Sequence, residues 1–212
     1  MRHVPHTVVP APWQEDELEL SVVQWRHLTK VLRLKRGEEV SYTDGLGTIG
    51  SGLLGGQSIE RGEERSVIRP STLTVAVAPP ASKDRQRFLV EKLAELGVAR
   101  LVWLSTEHGK NRVASATKVF LWVLSAVEQS RGAWLMETSP DMITLGELQG
   151  KVVVCVPDGM SDPGDFDTVA IGPEGGFADT EIPPSASLWR LGSTVLRVET
   201  AAIVAAARAI VG

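Results

Sequence analysis

The stretch IGPEGGF, residues 171–177, places three glycines, a proline and a glutamate directly after the β-branched residues Thr168, Val169 and Ile171. Glycine permits close approaches that a Cβ forbids, so such a loop offers peptide N–H and C=O groups to whatever lies against it. Two other strand-like runs end similarly, in Val156-Pro157-Asp158-Gly159 and in Leu191-Gly192-Ser193. In open α/β sheets, ligands bind beyond the carboxyl ends of the strands. Three such loops side by side would make a pocket walled largely by backbone, suited to a purine ring and a ribose. Each loop alone is equally ordinary turn chemistry. The stretch lacks both the Lys-Ser/Thr of G-x-x-x-x-G-K-[ST] and the spacing of G-x-G-x-x-G. That directs the reading away from ATP and NAD, toward a ligand without a pyrophosphate.

A second group lies in LGSTVLRVETAAIVAAA, residues 191–207, where Arg197 and Glu199 flank a strand-to-helix junction. Glu199 and Thr200 stand where a carboxylate or hydroxyl meets the free N–H groups of a helix start, and that role explains them as well as catalysis does. Lys83, Arg85, Arg87 and Lys92 put positive charge on one predicted helix, and Glu128-Gln129-Ser130-Arg131 ends another. Arg26, His27, Lys30, Arg33, Lys35 and Arg36 crowd a short N-terminal stretch, either a solvated helix face or a patch for phosphates. The net charge of −4 argues weakly against a polyanionic partner, but its distribution does not. Residues 70–118 carry an excess of Lys and Arg, whereas residues 119–212 carry the acidic excess.

These residues must be positioned by a fold of 212 residues with 43% hydrophobic content, enough for a substantial core. The single cysteine, Cys155, cannot form an internal disulfide and reads as small core filler. The four histidines show no zinc-ligand spacing, and no metal is expected. Neither an apolar signal core nor a membrane-length stretch is present, so a cytoplasmic protein without a membrane partner is expected. Residues 1–69 read as a small β-rich unit. Ser21 caps a helix over 22–32 with Val23, His27/Leu28 and Val31 on one side and Gly37 as its stop. Asp44-Gly45 marks a hairpin, and IERGEERS reads as a charged loop. Arg69-Pro70 is the candidate boundary. Beyond it strands over 73–78, 101–104, 151–156, 168–171 and 188–191 alternate with helices over 83–96, 111–130 and 199–211. Ser82 and Gly97 bracket the first of these helices. This alternation predicts an α/β fold with a mostly parallel sheet.

Five stretches occur together in one order: HLTKVLRLKRGEEV…DG, EKLAELGV, EQSR, IGPEGGF and LG..VLRVETA. In this the chain resembles the small-subunit ribosomal RNA uridine-N3 methyltransferases of the RsmE type, within the SPOUT superfamily, over nearly its whole length. The resemblance implies a PUA-like, RNA-binding β-barrel over residues 1–69. It implies a SPOUT methyltransferase domain over 70–212, with a deep trefoil knot at roughly 152–205. It also implies a homodimer that takes S-adenosylmethionine and methylates N3 of a uridine in the 16S rRNA of the small ribosomal subunit.

Carried onto this sequence, the cofactor-binding residues are Val156, Pro157, Gly172, Pro173, Glu174, Gly175, Gly176, Leu191, Gly192, Leu196, Arg197, Glu199 and Thr200. Glu174 would sit at the pocket rim, bonding main-chain or ligand groups. Arg197, or Arg131 from a partner helix, would supply a catalytic cation at the uracil carbonyls. Arg26, Lys30, Arg33, Lys83, Lys92 and Gln129 would contact RNA. The chain departs from the pattern at Ser193-Thr194, Gly132 and His108, where the family often carries arginine, and in a short helix after Phe177 cut by Pro183-Pro184. A paralogue that binds RNA with altered catalysis, or one that methylates another RNA position, therefore stays open.

Overall fold

A computed structural model of the chain describes residues 4–13, 16–109 and 112–211. Contacts divide it into two compact units, Met1–Arg69 with Leu124–Leu135, and Pro70–Val123 with Met136–Gly212. Residues 124–135, grouped with the second domain on sequence, thus pack within the first unit.

The first unit contains β1 (His6–Val8), β2 (Glu17–Glu19), α1 (Val22–Arg26), β3 (Glu39–Thr43), β4 (Thr48–Leu54) and β5 (Ser58–Ser66). The strands form one mixed sheet in the order β1-β3-β4-β5-β2, with β1 parallel to β3 and the other pairs antiparallel. The expected hairpin joins β3 to β4. Asp44 Oδ1 accepts from the N–H of Leu46 at 2.7 Å and of Thr48 at 2.9 Å, and Gly45 and Gly47 take positive φ. IERGEERS is not a loop, because it makes up most of β5. Most of its charged side chains face solvent, Arg61 pairs with Glu64, and its backbone ladders with β4 along its length and with β2 at Ile59 and Glu60. Val40, Tyr42, Leu54 and Ile59 form the core with Leu18, Leu20 and Leu28, and Trp13, Trp25 and Leu34 pack around it.

Ser21 caps α1 as expected, in a reciprocal box with Gln24. The helix then widens into a π turn over His27–Val31, where Leu32 N bonds His27 O at 3.0 Å. The expected stripe is not the buried face: Val23, His27 and Val31 face solvent together, and Leu28 is buried with Trp25 packed beside it in the core. The element stops at Arg33, whose φ is 57°, before Gly37 is reached.

The second unit contains β6 (Thr74–Val77), α2 (Lys83–Glu95), β7 (Arg100–Leu104) and β8 (Glu137–Ile143). Between β7 and β8 runs α3 (Ala116–Ser130), within which the division between units falls. After β8 come β9 (Val152–Met160), β10 (Thr168–Ile171), β11 (Ser187–Trp189) and α4 (Val198–Ile210), also in the second unit. The six strands lie in the order β11-β9-β10-β6-β7-β8, and every neighbouring pair is parallel. Strands covered on both faces need continuous apolar runs, which Val75-Ala76-Val77, Val153-Val154 and Val169-Ala170-Ile171 supply.

Ser82 Oγ accepts from Arg85 N at the start of α2, and Gly97, at φ +81, follows its end. Of the helix expected over 111–130, Asn111 lies outside the described residues, residues 112–115 are not helical, and α3 begins at Ala116. Phe120, placed on its apolar stripe, is about half exposed, while Val123 and Val127 are buried. The helix α4 begins one residue earlier than expected, with Arg197 as its N-cap. Its small residues Ala201, Ala202, Ala205 and Ala206 are buried, and the helix packs on α2, β10 and β6.

The Val156-Pro157-Asp158-Gly159 turn is corrected. β9 runs on to Met160, and these residues form a bulge between the ladder positions Leu188↔Val154 and Trp189↔Met160. A bulge lets proline sit in a strand without losing a ladder bond. Gly159 is required by proximity, since a Cβ there would lie 2.5 Å from the carbonyl carbon of Trp189. Gly159→Ala must therefore push β9 and β11 apart. We expect it to cost about 1–3 kcal/mol, read as a lower urea midpoint with unchanged slope. A midpoint equal to wild type would contradict this packing.

Candidate functional site

Because the sheet is parallel, β11, β9 and β10 send their chains out at the same edge, next to one another. Ile171 pairs with Cys155, and Leu188 with Val154. The residues beyond these pairs are the 156–159 bulge, the 172–176 turn and the 190–197 run. Arg190 N bonds Met160 O at 2.8 Å, joining the first and third of them. The turn closes on itself through Gly176 N to Pro173 O at 2.9 Å, with Gly176 at φ +73. His108 Nδ1 lies 3.2 Å from Gly176 O, a hydrogen bond in the Nδ1–H tautomer. No atom lies within 4 Å of where a Cβ on Gly176 or Gly192 would stand, so open space borders the main chain at both.

One guanidinium organises the acidic side of this edge. Arg85 Nε donates to Glu199 Oε1 at 2.9 Å and Nη2 to Glu199 Oε2 at 2.6 Å, a bidentate pair. The same Nη2 donates to Glu174 Oε1 at 3.0 Å. The Glu199 side chain is 8% exposed and that of Glu174 is 51% exposed. Burial pushes the Glu199 carboxyl up. The Arg85 bond, its own backbone N–H and the charges of Arg85 and Arg197 together outweigh burial and hold it below the usual glutamate value. The Glu199 bond in turn raises the Arg85 guanidinium. Glu174 therefore bonds a side-chain cation, and Glu199 does more than greet a helix start. Sequence reading missed Arg85 in this role. The available signal was a glutamate within an alanine-rich helix, because a carboxylate buried there needs a cation.

The remaining candidates divide between the units. Val156 and Pro157 lie in the bulge, Leu196 is half-buried, and Arg197 and Thr200 are exposed. Leu191 O accepts from Arg208 Nη1 at 3.0 Å. Lys83 is exposed, while Lys92 bonds Glu95 at 2.7 Å within its own helix. Arg131 belongs to the first unit, at φ 57, and donates through Nη2 to Val4 O at 2.7 Å. Beside it Glu128 Oε1 accepts from Thr7 Oγ1 at 3.0 Å and Val8 N at 3.2 Å, and Gln129 is exposed. His6 Nε2 lies 3.1 Å from Gly132 O. Arg26, Lys30 and Arg33 are exposed in the first unit.

The short helix expected after Phe177 is instead a turn. Glu181 N bonds Ala178 O, and the Glu181 carboxylate accepts from Ala178 N and Glu107 N, both at 2.9 Å. Pro183-Pro184 leaves no room for a longer helical ladder. Burial pushes the Cys155 thiol up to about 12, so it stays protonated and inert. Among the described residues no cluster of His, Cys, Asp or Glu is placed to hold a metal ion, and no helix is long and apolar enough to cross a membrane.

The chain has relatives among known proteins. Residues 68–210 match the family model described as RNA methyltransferase domain. The ribosomal RNA small subunit methyltransferase E of Synechocystis sp. (strain ATCC 27184 / PCC 6803 / Kazusa) is 28% identical over 236 residues, covering 96% of this chain and 76% of that protein. Among solved structures, a probable rRNA-methyltransferase from Porphyromonas gingivalis is 26% identical with a TM-score of 0.84, covering 97% of each chain. A putative methyltransferase from Legionella pneumophila, solved in complex with bound SAM, is 26% identical with a TM-score of 0.81, covering 98% of this chain and 97% of that one.

The Arg85–Glu199 pair has a signature in acid. A carboxyl lowered on folding contributes stability that is complete above its ordinary value of 4.5 and is lost as pH falls through its folded value. The stability gap between wild type and Glu199→Gln, from urea titrations at a series of pH values, should be constant at neutral pH and shrink below that ordinary value. A gap that widened on acidification would contradict the pairing.

Proposed function

The chain belongs to the RNA methyltransferase family, and from that membership we propose that it transfers a methyl group from S-adenosylmethionine to N3 of a uridine in 16S rRNA. The carrying observation is the edge where the β9 bulge, the 172–176 turn and the 190–197 run lie side by side and open space borders the main chain at Gly176 and Gly192. Those residues fit the donor, because a planar adenine can lie against the main chain at Gly176 and Gly192, where no side chain intervenes. The Legionella relative solved with SAM supports the same choice. The donor, when bound, supplies an already activated methyl group.

The residues that would hold it are Val156, Pro157, Gly172, Pro173, Glu174, Gly175, Gly176, Leu191, Gly192, Leu196, Arg197, Glu199 and Thr200. Two of these act indirectly, since Glu199 and Glu174 are bonded to Arg85. Uridine N3 is a poor nucleophile while protonated. Exposed Arg197 at the N-cap of α4 offers a cation to the uracil carbonyls and favours the N3-deprotonated base. Arg131 is the second such cation, contributed by the partner in a homodimer. Exposed Arg26, Lys30, Arg33 and Lys83, with Lys92 and Gln129, meet the RNA, whose target base must be splayed out for chemistry.

Residues 1–69, the larger part of the first unit, make the PUA-like RNA-binding domain of this reading, and residues 70–212, which include 124–135 of the first unit, its SPOUT domain. The path from β10 past β9 to the edge strand β11, and back in α4 to β10 and β6, supports a trefoil knot near 152–205. The named curated relative supports the small-subunit rRNA substrate and hence a cytoplasmic site of action.

Purified protein incubated with S-adenosylmethionine and small subunits from a strain lacking the gene should yield N3-methyluridine in digested 16S rRNA by mass spectrometry. Methylation at another position would transfer the assignment to that position. Absence of donor binding in calorimetry would leave an RNA-binding paralogue. In the active enzyme, Arg197→Ala should lower kcat by about a hundredfold; an unchanged kcat would remove Arg197 from the chemistry.

A further inference from the structure

Three segments far apart in the chain meet on the Arg85 guanidinium. Arg85 lies in the first turn of α2, Glu174 in the turn after β10 and Glu199 in the first turn of α4, 89 and 114 residues away from it in sequence. The two carboxylates are not equivalent. Glu199 is buried and takes two N–H groups, so the pair cannot be broken without stranding a buried charge. It fixes the guanidinium in place. Glu174 is half exposed and meets a donor that is already immobile, so its bond costs only its own freedom. The chain between Glu174 and β10 contains Gly172 and Pro173, and Gly175 and Gly176 come directly after it. A turn so rich in glycine has many conformations available unless something outside it selects one.

We propose that Arg85 is a positioning residue for the methyl donor: seated on Glu199, it holds Glu174 and thereby keeps the 172–176 turn in the conformation that receives the donor. This rests on the reading of that edge as the donor site. The rigid part is the α2–α4 contact, which the buried alanines of α4 make close. The part it holds is the turn, closed by Gly176 N to Pro173 O and tethered at Glu174 by Arg85 and at Gly176 by His108. A turn held in its receiving shape before binding loses less freedom when the donor arrives. Lysine cannot replace Arg85, because a single ammonium lacks the planar fork that reaches Glu199 twice and Glu174 once.

The test joins hydrogen–deuterium exchange on the full, unliganded chain with calorimetry using S-adenosylmethionine. Glu174→Ala alters the exposed end of the cluster, where folding is least at risk. The pair Arg85→Met/Glu199→Leu removes both charges of the pair together, so no buried carboxylate is left unpaired. In each, amides of residues 172–178 should exchange roughly tenfold faster than in wild type, while those of β10 and the middle of α2 stay protected. The donor Kd should rise by roughly ten- to a hundredfold, the weight of one charged hydrogen bond. Arg85→Lys keeps the charge but loses the fork, so it should lower the urea midpoint and loosen the same amides. Unchanged exchange at 172–178 in a wild-type-like fold overturns the proposal while leaving donor binding by wild type intact. Faster exchange with an unchanged Kd also overturns it. Failure of wild type itself to bind the donor sinks the functional reading, and the proposal with it.

Discussion

In the second sheet all strands run one way, so all chains leaving their carboxyl ends leave along one edge. Parallel pairing forbids a tight hairpin between neighbours and demands a crossover for each return. The chain pays this in long connections, and gains an edge where loops from distant parts of the sequence lie side by side. Glycine at that edge leaves main chain as the wall. The bulge of β9 belongs to the same geometry: it lets Pro157 pass and brings Gly159 against the backbone of Trp189 and Arg190.

A wall made of backbone is only as definite as the contacts behind it. Those contacts are of two kinds here. One is apolar: α4 uses alanines to approach α2, β10 and β6 closely. The other is ionic and partly buried. Burying the Arg85–Glu199 pair costs desolvation that bidentate bonding offsets, and it yields specificity of position more than stability. The first unit shows the same logic without a salt bridge. Glu128 accepts from Thr7 and Val8, and Gly132 meets His6, so residues far along the chain close a sheet begun near its start.

Much of the fold was legible because it follows local rules. Ser21 and Ser82 are caps, Gly97 is a stop, Asp44 nucleates a hairpin, and the apolar runs of β6, β9 and β10 are what a doubly covered sheet requires. The errors lie where pairing partners outside the local segment decide. IERGEERS looks like a loop because its side chains are charged, yet its backbone ladders with β4 and, at Ile59 and Glu60, with β2 as well. Pro157-Asp158-Gly159 looks like a turn because bulges use the same residues as turns. The π turn after Arg26 breaks a 3.6-residue count that no single residue type announces. In the site, the glycine loops could be read directly. The Arg85 cluster could be read only in part: the glutamate of α4 asks for a cation, but which cation, and the joining of Glu174, depend on α2, α4 and the turn after β10 coming together.

Under the proposed function, the parallel edge and the segments lying along it are main chain that receives S-adenosylmethionine. Amide chemical-shift mapping during titration with that donor tests this most directly. The account predicts the largest shifts at residues 156–159, 172–177 and 191–197, in a single saturating event. Saturable shifts confined to other parts of the chain, with these amides unmoved, would contradict it.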